Sequence, residues 1–206
     1  MTQKNYFAFF DLPLKLQVDV VSLETRFYAL SRRLHPDRFA SRPVAEQEAA
    51  LAESSLLNDA YRTLKDPILR TQYLLKLEGV ELEEQSKAAT DAARATGTEK
   101  KQVVPPELLE EVFELNMQLQ ELRAATQMGE DEPELRRDLM TAKDSFDAKM
   151  VVTQAELERL WGVWDAAVDA GDDAAKSKTR DAMVVLLNKR SYLRNLVRDV
   201  NEALGL

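Results

Sequence analysis

The chain contains one histidine, His35, which stands in the tripeptide His-Pro-Asp within the stretch ALSRRLHPDRFA. An imidazole at this place could serve as a general base or as a metal ligand. Either role needs partners, and the chain has no second histidine, no cysteine, no glycine-rich phosphate loop and no G-x-S-x-G motif. The sequence therefore predicts no catalytic residue, no metal site and no bound cofactor.

Paired carboxylates are the remaining candidates for acid–base chemistry, for example Asp144 with Asp147 and Glu110 with Glu114. Both pairs have the spacing of neighbours on one helix face. Such acidic faces are usually solvated surfaces, so an enzyme with carboxylate chemistry is a distant alternative.

Composition limits the class of protein further. The chain has 206 residues, of which 45% are apolar and 31% charged, as is typical of a helix-rich globular protein with one or two domains. The formal net charge of −8 disfavours binding to nucleic acid or to an anionic membrane. No segment approaches the roughly 20 apolar residues of a membrane span, and the N-terminus resembles neither a signal nor a transit peptide. We expect a cytoplasmic protein.

Residues 1–80 carry the signals of an antiparallel helical unit. Asp19 is a suitable cap for a first long helix, which Pro36 must end close to Leu34. The apolar face of this helix recurs with helical spacing at Leu23, Phe27, Leu30 and Leu34. A second helix is predicted over 44–65, where small residues at nearly every fourth position would let a partner helix approach: Ala45, Ala49, Ala52 and Ala60. Asp66 and Pro67 start a third helix, and Gly79 is placed to end it.

The sequence pattern after residue 80 predicts a linker followed by a helical bundle. Residues 84–104 lack large apolar side chains until the final Val pair, as is typical of linkers. Helical patterns then cover 106–128, 133–151, 153–170 and 172–205. A possible capping box at Thr153 and Glu156 suggests that the middle arm is kinked or split there. Trp161 and Trp164, which share a helix face, are predicted to lie in the core of the bundle.

The predicted fold is all-α, with a helical unit over 1–80, a linker over 81–104 and a three-arm bundle over 105–206. Four segments carry a resemblance to a known family: NYFAFFDLP, LHPDRFAS, EQEAALAESSLLNDAYRTLKDPILRTQYLLKLEG and PPELLEEVFELNMQLQEL. They extend over essentially the whole chain, which resembles the HscB/Hsc20 family of J-domain co-chaperones for iron–sulfur cluster biogenesis. The linker and the second arm, around 128–172, look longer than in compact members of that family. The resemblance implies a J-domain over 1–80 and a scaffold-binding bundle over 105–206.

The resemblance also implies that the J-domain docks on an HscA/DnaK-type chaperone ATPase and stimulates ATP hydrolysis there, so that catalysis belongs to the partner. Pro36 imposes a sharp exit from the helix and presents His35 and Asp37 at an exposed tip. The Asp37 carboxylate can then accept a charge-assisted hydrogen bond from an arginine of the chaperone. Neighbouring arginines supply a positive patch for an acidic chaperone surface: Arg26, Arg32, Arg33 and Arg38. Arg26 and Arg33 share one edge of the helix; for Arg32 and Arg38 a solvated or internally paired charge is an equal alternative.

The helix that begins near residue 106 has two apolar stripes. One is predicted to face the bundle and contains Leu108, Val112, Leu115, Leu119 and Leu122. The other contains Leu109, Phe113 and Met117, and it is flanked by acids at Glu110, Glu114 and Glu121. Either both stripes are buried between neighbouring helices, or the second is an exposed patch for a protein partner. In the family the matching helix binds the scaffold protein IscU, and Tyr192 aligns with a further aromatic contact to that scaffold.

The sequence thus predicts a co-chaperone that activates an HscA/DnaK-type ATPase and delivers an IscU-type scaffold to it. One alternative is a J-domain protein whose bundle serves another client or forms a homodimer. The other is a non-catalytic helical adaptor in which the tripeptide has no function.

Overall fold

A computed structural model describes residues 5–80 and 104–206, which form seven α-helices and no strand. The predicted all-α class is therefore confirmed. The helices are α1 (Tyr6–Phe9), α2 (Val20–Leu34), α3 (Val44–Lys65), α4 (Pro67–Leu77), α5 (Leu109–Met128), α6 (Pro133–Ala170) and α7 (Asp173–Leu204). Short 3-10 helices cover Pro36–Phe39 and Pro106–Leu108. The predicted linker, 81–104, lies outside the described residues except for Val104.

The described residues form two compact units. Residues 5–80 and 161–180 make the first, and residues 104–160 and 181–206 make the second. This division differs from the predicted 105–206 bundle because the end of α6 and the start of α7 pack with the N-terminal helices.

In the first unit, the helix boundaries follow from local capping. The Asp19 carboxylate accepts hydrogen bonds from the N–H groups of Val21 and Ser22, which starts α2. Asp66 caps α4 in the same way, with Pro67 at the first helical position. Gly79 has a φ of +79°, a left-handed conformation in which glycine ends a helix without strain.

The buried face of α3 differs from the predicted one. Ala45, Ala49 and Ala52 are exposed, and the buried positions are Ala50, Leu57, Ala60 and Leu64. A strict spacing of four residues drifts by about 40° per step around a helix with 3.6 residues per turn. Ala45 therefore lies on a different face from Leu64, and the prediction of a small-residue seam along the whole helix was wrong.

The end of α6 closes the first unit. Trp164 is 1% exposed, and its indole N–H donates to the carbonyl oxygen of Leu14 at 3.1 Å. Both Asp165 oxygens accept backbone N–H groups, from Leu16 at 2.7 Å and from Gln17 at 2.9 Å. The two tryptophans are buried as predicted, but they belong to this unit and not to the bundle core.

The second unit has an apolar core supplied by three helices. The core includes every residue of the predicted bundle-facing stripe, together with side chains of α6 and α7: Leu108, Val112, Leu115, Leu119, Leu122, Leu135, Leu139, Phe146, Leu193, Leu196 and Val200. The predicted role of that stripe is confirmed.

The helix α6 is continuous through the predicted break at Thr153. Its hydroxyl donates to the carbonyl oxygen of Lys149 at 2.9 Å, one turn earlier in the helix. Because the side chain bonds backwards to a helical carbonyl, no capping box with Glu156 forms. The middle arm is thus one helix of 38 residues.

Candidate protein-binding sites

The HPD turn, residues 35–37, follows directly from the end of α2. His35 has an extended backbone (φ −61°, ψ 126°), as expected for a residue that precedes proline. Pro36 then opens the 3-10 helix Pro36–Phe39. The chain therefore turns sharply at the tripeptide, as the sequence predicts.

The side chains of the HPD turn are open to solvent. The His35 and Asp37 side chains are 55% and 89% exposed. Nδ1 of His35 accepts a hydrogen bond from the N–H of Asp37 at 3.3 Å, and it lies 3.5 Å from Oδ2 of the same residue. A neutral imidazole that accepts at Nδ1 carries its proton on Nε2, so the outer nitrogen of His35 is a donor available to another molecule.

Arg26 has an internal partner on a strained turn. One terminal nitrogen of its guanidinium donates to the carbonyl oxygens of Phe10 at 2.6 Å and of Asp11 at 3.1 Å. Asp11 has a φ of 51°, and it is the only residue other than glycine with positive φ in the described ranges. Arg26 therefore stabilises the turn between α1 and α2, a role that the sequence did not predict.

The other arginines surround the exit from α2. Arg38 donates to the carbonyl oxygen of Arg32 at 3.2 Å, which satisfies one carbonyl at the end of the helix. Arg32 and Arg33 are exposed in the last turn of α2, where positive charge favours the helix dipole.

Two residues of α2 that the sequence interpretation missed share a face with Arg32. Val21 and Tyr28 are 75% and 54% exposed. At 100° per residue both side chains fall within about 40° of Arg32, on the side of the helix that faces away from the buried Leu23. Arg26 and Arg33 lie at the edge of the buried face. The helical wheel would have found Val21 and Tyr28, because the buried positions of α2 already define the opposite side.

The second site lies on α5, where the two alternatives for the second apolar stripe can be distinguished. Leu109, Phe113 and Met117 are 54%, 68% and 58% exposed, whereas Leu115 in the other stripe is 1% exposed. Contiguous exposed apolar surface on a soluble protein commonly marks a site of protein binding. The alternative in which both stripes are buried is excluded.

Some acidic residues of α5 and of the preceding turn form ion pairs with lysines, and others do not. Glu107 pairs with Lys189 at 3.1 Å, and Glu111 pairs with Lys149 at 2.9 Å. A hydrogen bond from its own backbone N–H and then the Lys189 side chain lower the pKa of Glu107. The acids beside the exposed stripe are themselves exposed and form no ion pair within the described part of the chain: Glu110, Glu114 and Glu121. We call these three acids, with Leu109, Phe113 and Met117, the apolar–acidic face of α5.

Tyr192 is half-buried on α7, where it packs against the core of the second unit. Burial, and secondly the negative charge of Asp199, raises the pKa of its hydroxyl. Lys189, one turn earlier on α7, pairs with Glu107 just ahead of α5. Tyr192 therefore lies on a helix that is joined to the start of α5, but its ring is less exposed than the stripe residues.

Groups that could hold a metal ion and helices that could span a membrane are both absent from the described residues. In the ranges 5–80 and 104–206, no three His, Asp or Glu side chains are grouped so that they could hold a metal ion. Over the same ranges, no helix combines the length and apolarity needed to cross a membrane.

Solved structures with a similar fold include two HscB co-chaperones. Over 96% of both chains, the structure matches the chaperone HscB from Vibrio cholerae with a TM-score of 0.57 and 25% sequence identity. It also matches the human co-chaperone protein HscB with a TM-score of 0.58 and 24% identity, over the whole of this chain and 85% of the human one. No protein-family model matches the chain.

Proposed function

Since the chain belongs to the HscB family of J-domain co-chaperones, we propose that it stimulates an HscA/DnaK-type chaperone ATPase through its HPD turn. We further propose that it delivers an IscU-type iron–sulfur scaffold to that chaperone through the apolar–acidic face of α5. Catalysis remains with the chaperone, and this chain supplies contacts that change the rate of ATP hydrolysis on another protein.

The exposure of the HPD turn carries the chaperone part of the proposal. His35 offers its outer Nε2–H as a donor, and the Asp37 carboxylate offers oxygens that are 89% exposed. A carboxylate that accepts from an arginine of the chaperone forms a charge-assisted bond, about twice as strong as a neutral one. Arg32 and Arg33 lie one turn away and would attract an acidic chaperone surface, chiefly by raising the association rate.

The scaffold part of the proposal is supported by the exposure of Phe113 and Met117 beside unpaired acids. Apolar side chains of this size can anchor an interface, and the surrounding carboxylates select a basic partner surface. Tyr192 is proposed as a peripheral contact from α7.

The chaperone part is tested by the steady-state ATPase rate of an HscA-type chaperone, measured with and without this protein and with the scaffold. The wild-type chain is expected to raise the rate, and His35→Gln is expected to abolish the increase without changing the melting temperature or scaffold binding. Lys76→Gln, which alters an exposed residue of α4 in the same unit, is the matched control. Stimulation that survives His35→Gln would exclude the HPD turn as the working site.

The scaffold part is tested by calorimetric titration of IscU with the full chain and with the double variant Phe113→Ala, Met117→Ala. Because both side chains are exposed, affinity is expected to fall while the melting temperature stays nearly constant. Unchanged affinity would exclude this face of α5 as the scaffold site, whereas a wild-type chain that does not bind IscU would favour a J-domain protein that serves a different client.

A further inference from the structure

The exposed apolar surface of α5 continues beyond the residues that the family resemblance assigns. Met128, the last residue of α5, is 74% exposed, more than Phe113 or Met117. Ala124, one turn before it, is also exposed. At 100° per residue, Phe113, Met117, Ala124 and Met128 fall within about 60° of one another, so they lie along one side of the helix.

The helix end holds Met128 in a defined place. Gly129 has a φ of 76°, and its N–H donates to the carbonyl of Thr126 at 3.2 Å. The N–H of Glu130 donates to the carbonyl of Ala125 at 2.9 Å. This pair of bonds is the Schellman motif, which satisfies the last carbonyls and limits fraying of the final turn. The Met128 side chain contributes nothing to the cap, and most of its surface remains in water.

Acids follow one edge of this side of the helix, whereas the exposed Arg123 lies at the other edge. Glu121 lies between Met117 and Ala124 and has no ion pair in the described part of the chain. Past Met128 the chain continues with Glu130, Asp131 and Glu132; of these, Asp131 pairs with Arg136 at 3.5 Å. An apolar strip with acids along one edge suits a partner that offers apolar pockets beside basic side chains.

We propose that the scaffold footprint on α5 extends to Ala124 and Met128, so that one partner contacts a strip of about 29 Å from Leu109 to Met128. This inference rests on the proposed scaffold binding and adds two contacts to it. Ala124 allows a close approach of the partner between Met117 and Met128. Met128 supplies a flexible, polarisable anchor at the end of the strip. Methionine is common on binding surfaces for this reason.

The test measures the dissociation constant of purified IscU with the full-length chain and four single variants. Met128→Ala is expected to weaken binding about fivefold, and Phe113→Ala more strongly, since central anchors of an interface cost more than peripheral ones. Ala124→Gln, which adds bulk between Met117 and Met128, is expected to weaken binding by a similar factor to Met128→Ala. Val151→Ala removes an apolar side chain of matched exposure, 70%, on α6, and is expected to change nothing.

The outcomes separate this inference from the function on which it rests. If Phe113→Ala weakens binding while Met128→Ala and Ala124→Gln do not, the extension is wrong and the scaffold site stands. If no variant weakens binding, both are wrong. If Met128→Ala leaves scaffold affinity unchanged but abolishes self-association seen in sedimentation, a second copy of the chain covers this end and the extension is again overturned.

Discussion

The carboxylate of Asp165 accepts a hydrogen bond from the backbone N–H of Leu16 at 2.7 Å, although the two residues are 149 positions apart in the sequence. Its second oxygen accepts from the next N–H, at 2.9 Å. The bonded segment leads directly into α2, the helix that ends at the HPD turn. A carboxylate on α6 thus helps to position the base of the helix that presents His35.

Asp165→Ala is expected to lower the free energy of unfolding of the first unit by about 3 kcal/mol. The variant leaves the N–H groups of Leu16 and Gln17 without their charged acceptor. Because Asp165 is only 7% exposed, water replaces this acceptor poorly. The guanidinium of Arg70 is buried, and burial lowers its pKa, whereas the negative charge of Asp165 opposes that effect. Asp165→Ala therefore also removes a charge that compensates Arg70. Urea unfolding followed by tryptophan fluorescence measures this loss, because both tryptophans lie in the first unit.

The control for Asp165→Ala is Asp169→Ala. Asp169 lies one turn later on α6 and pairs with Lys15 at 2.6 Å, but its side chain is 65% exposed. Exposed ion pairs contribute less than about 1 kcal/mol, so this variant is expected to unfold almost as the wild type does. Equal losses for both variants would mean that the two backbone bonds of Asp165 do not hold the unit together.

A second prediction separates the roles of Arg26 and Arg32. Arg26→Ala removes the donor to Phe10 and Asp11 and is expected to cost about 1–2 kcal/mol of unfolding free energy. Arg32→Ala removes an exposed charge and is expected to leave stability within about 0.5 kcal/mol while it reduces ATPase stimulation, most clearly at low salt. Chemical unfolding and the chaperone ATPase assay, run on both variants, make the comparison. An Arg26→Ala protein that keeps its stability but no longer stimulates the ATPase would indicate that Arg26 contacts the chaperone.

Local signals in the sequence were sufficient to predict the boundaries of α2, α3 and α4 and the positions of the two apolar stripes on α5. Asp19, Asp66 and Pro67 act within a few residues of themselves, so their effects do not depend on the rest of the fold. The buried stripe from Leu108 to Leu122 follows from the helical period, which is also a local property.

Features that depend on distant residues could not be predicted in this way. The partners of Asp165 lie near the other end of the sequence, and the carbonyls that Arg26 binds belong to a turn whose shape depends on Asp11. Thr153 shows the limit within one helix. Its hydroxyl can cap a new helix or bond to the previous turn, and the sequence pattern does not distinguish these states.

The contrast between Asp66 and Glu156 tests the assignment of the helix ends. Asp66→Ala removes two cap bonds of 2.8 Å at the start of α4 and is expected to cost about 1 kcal/mol. Glu156→Ala is expected to change stability by less than about 0.5 kcal/mol, because α6 runs through this position without a cap. Thermal unfolding monitored by circular dichroism compares the two. A loss of about 1 kcal/mol at Glu156 would instead indicate a helix start at Thr153.

The last prediction concerns the charge of the apolar–acidic face. The triple variant Glu110→Gln, Glu114→Gln, Glu121→Gln is expected to slow association with the scaffold about tenfold at low salt, since unpaired surface charges act mainly on the rate of encounter. The difference is expected to shrink as added salt screens the field. Stopped-flow mixing over a range of ionic strengths measures both effects. The control Glu107→Gln, Glu111→Gln removes acids that already pair with Lys189 and Lys149, and it is expected to slow association much less. If the control slows association as much per charge removed, the partner senses the net charge of the unit, and this face of α5 has no particular role in its capture.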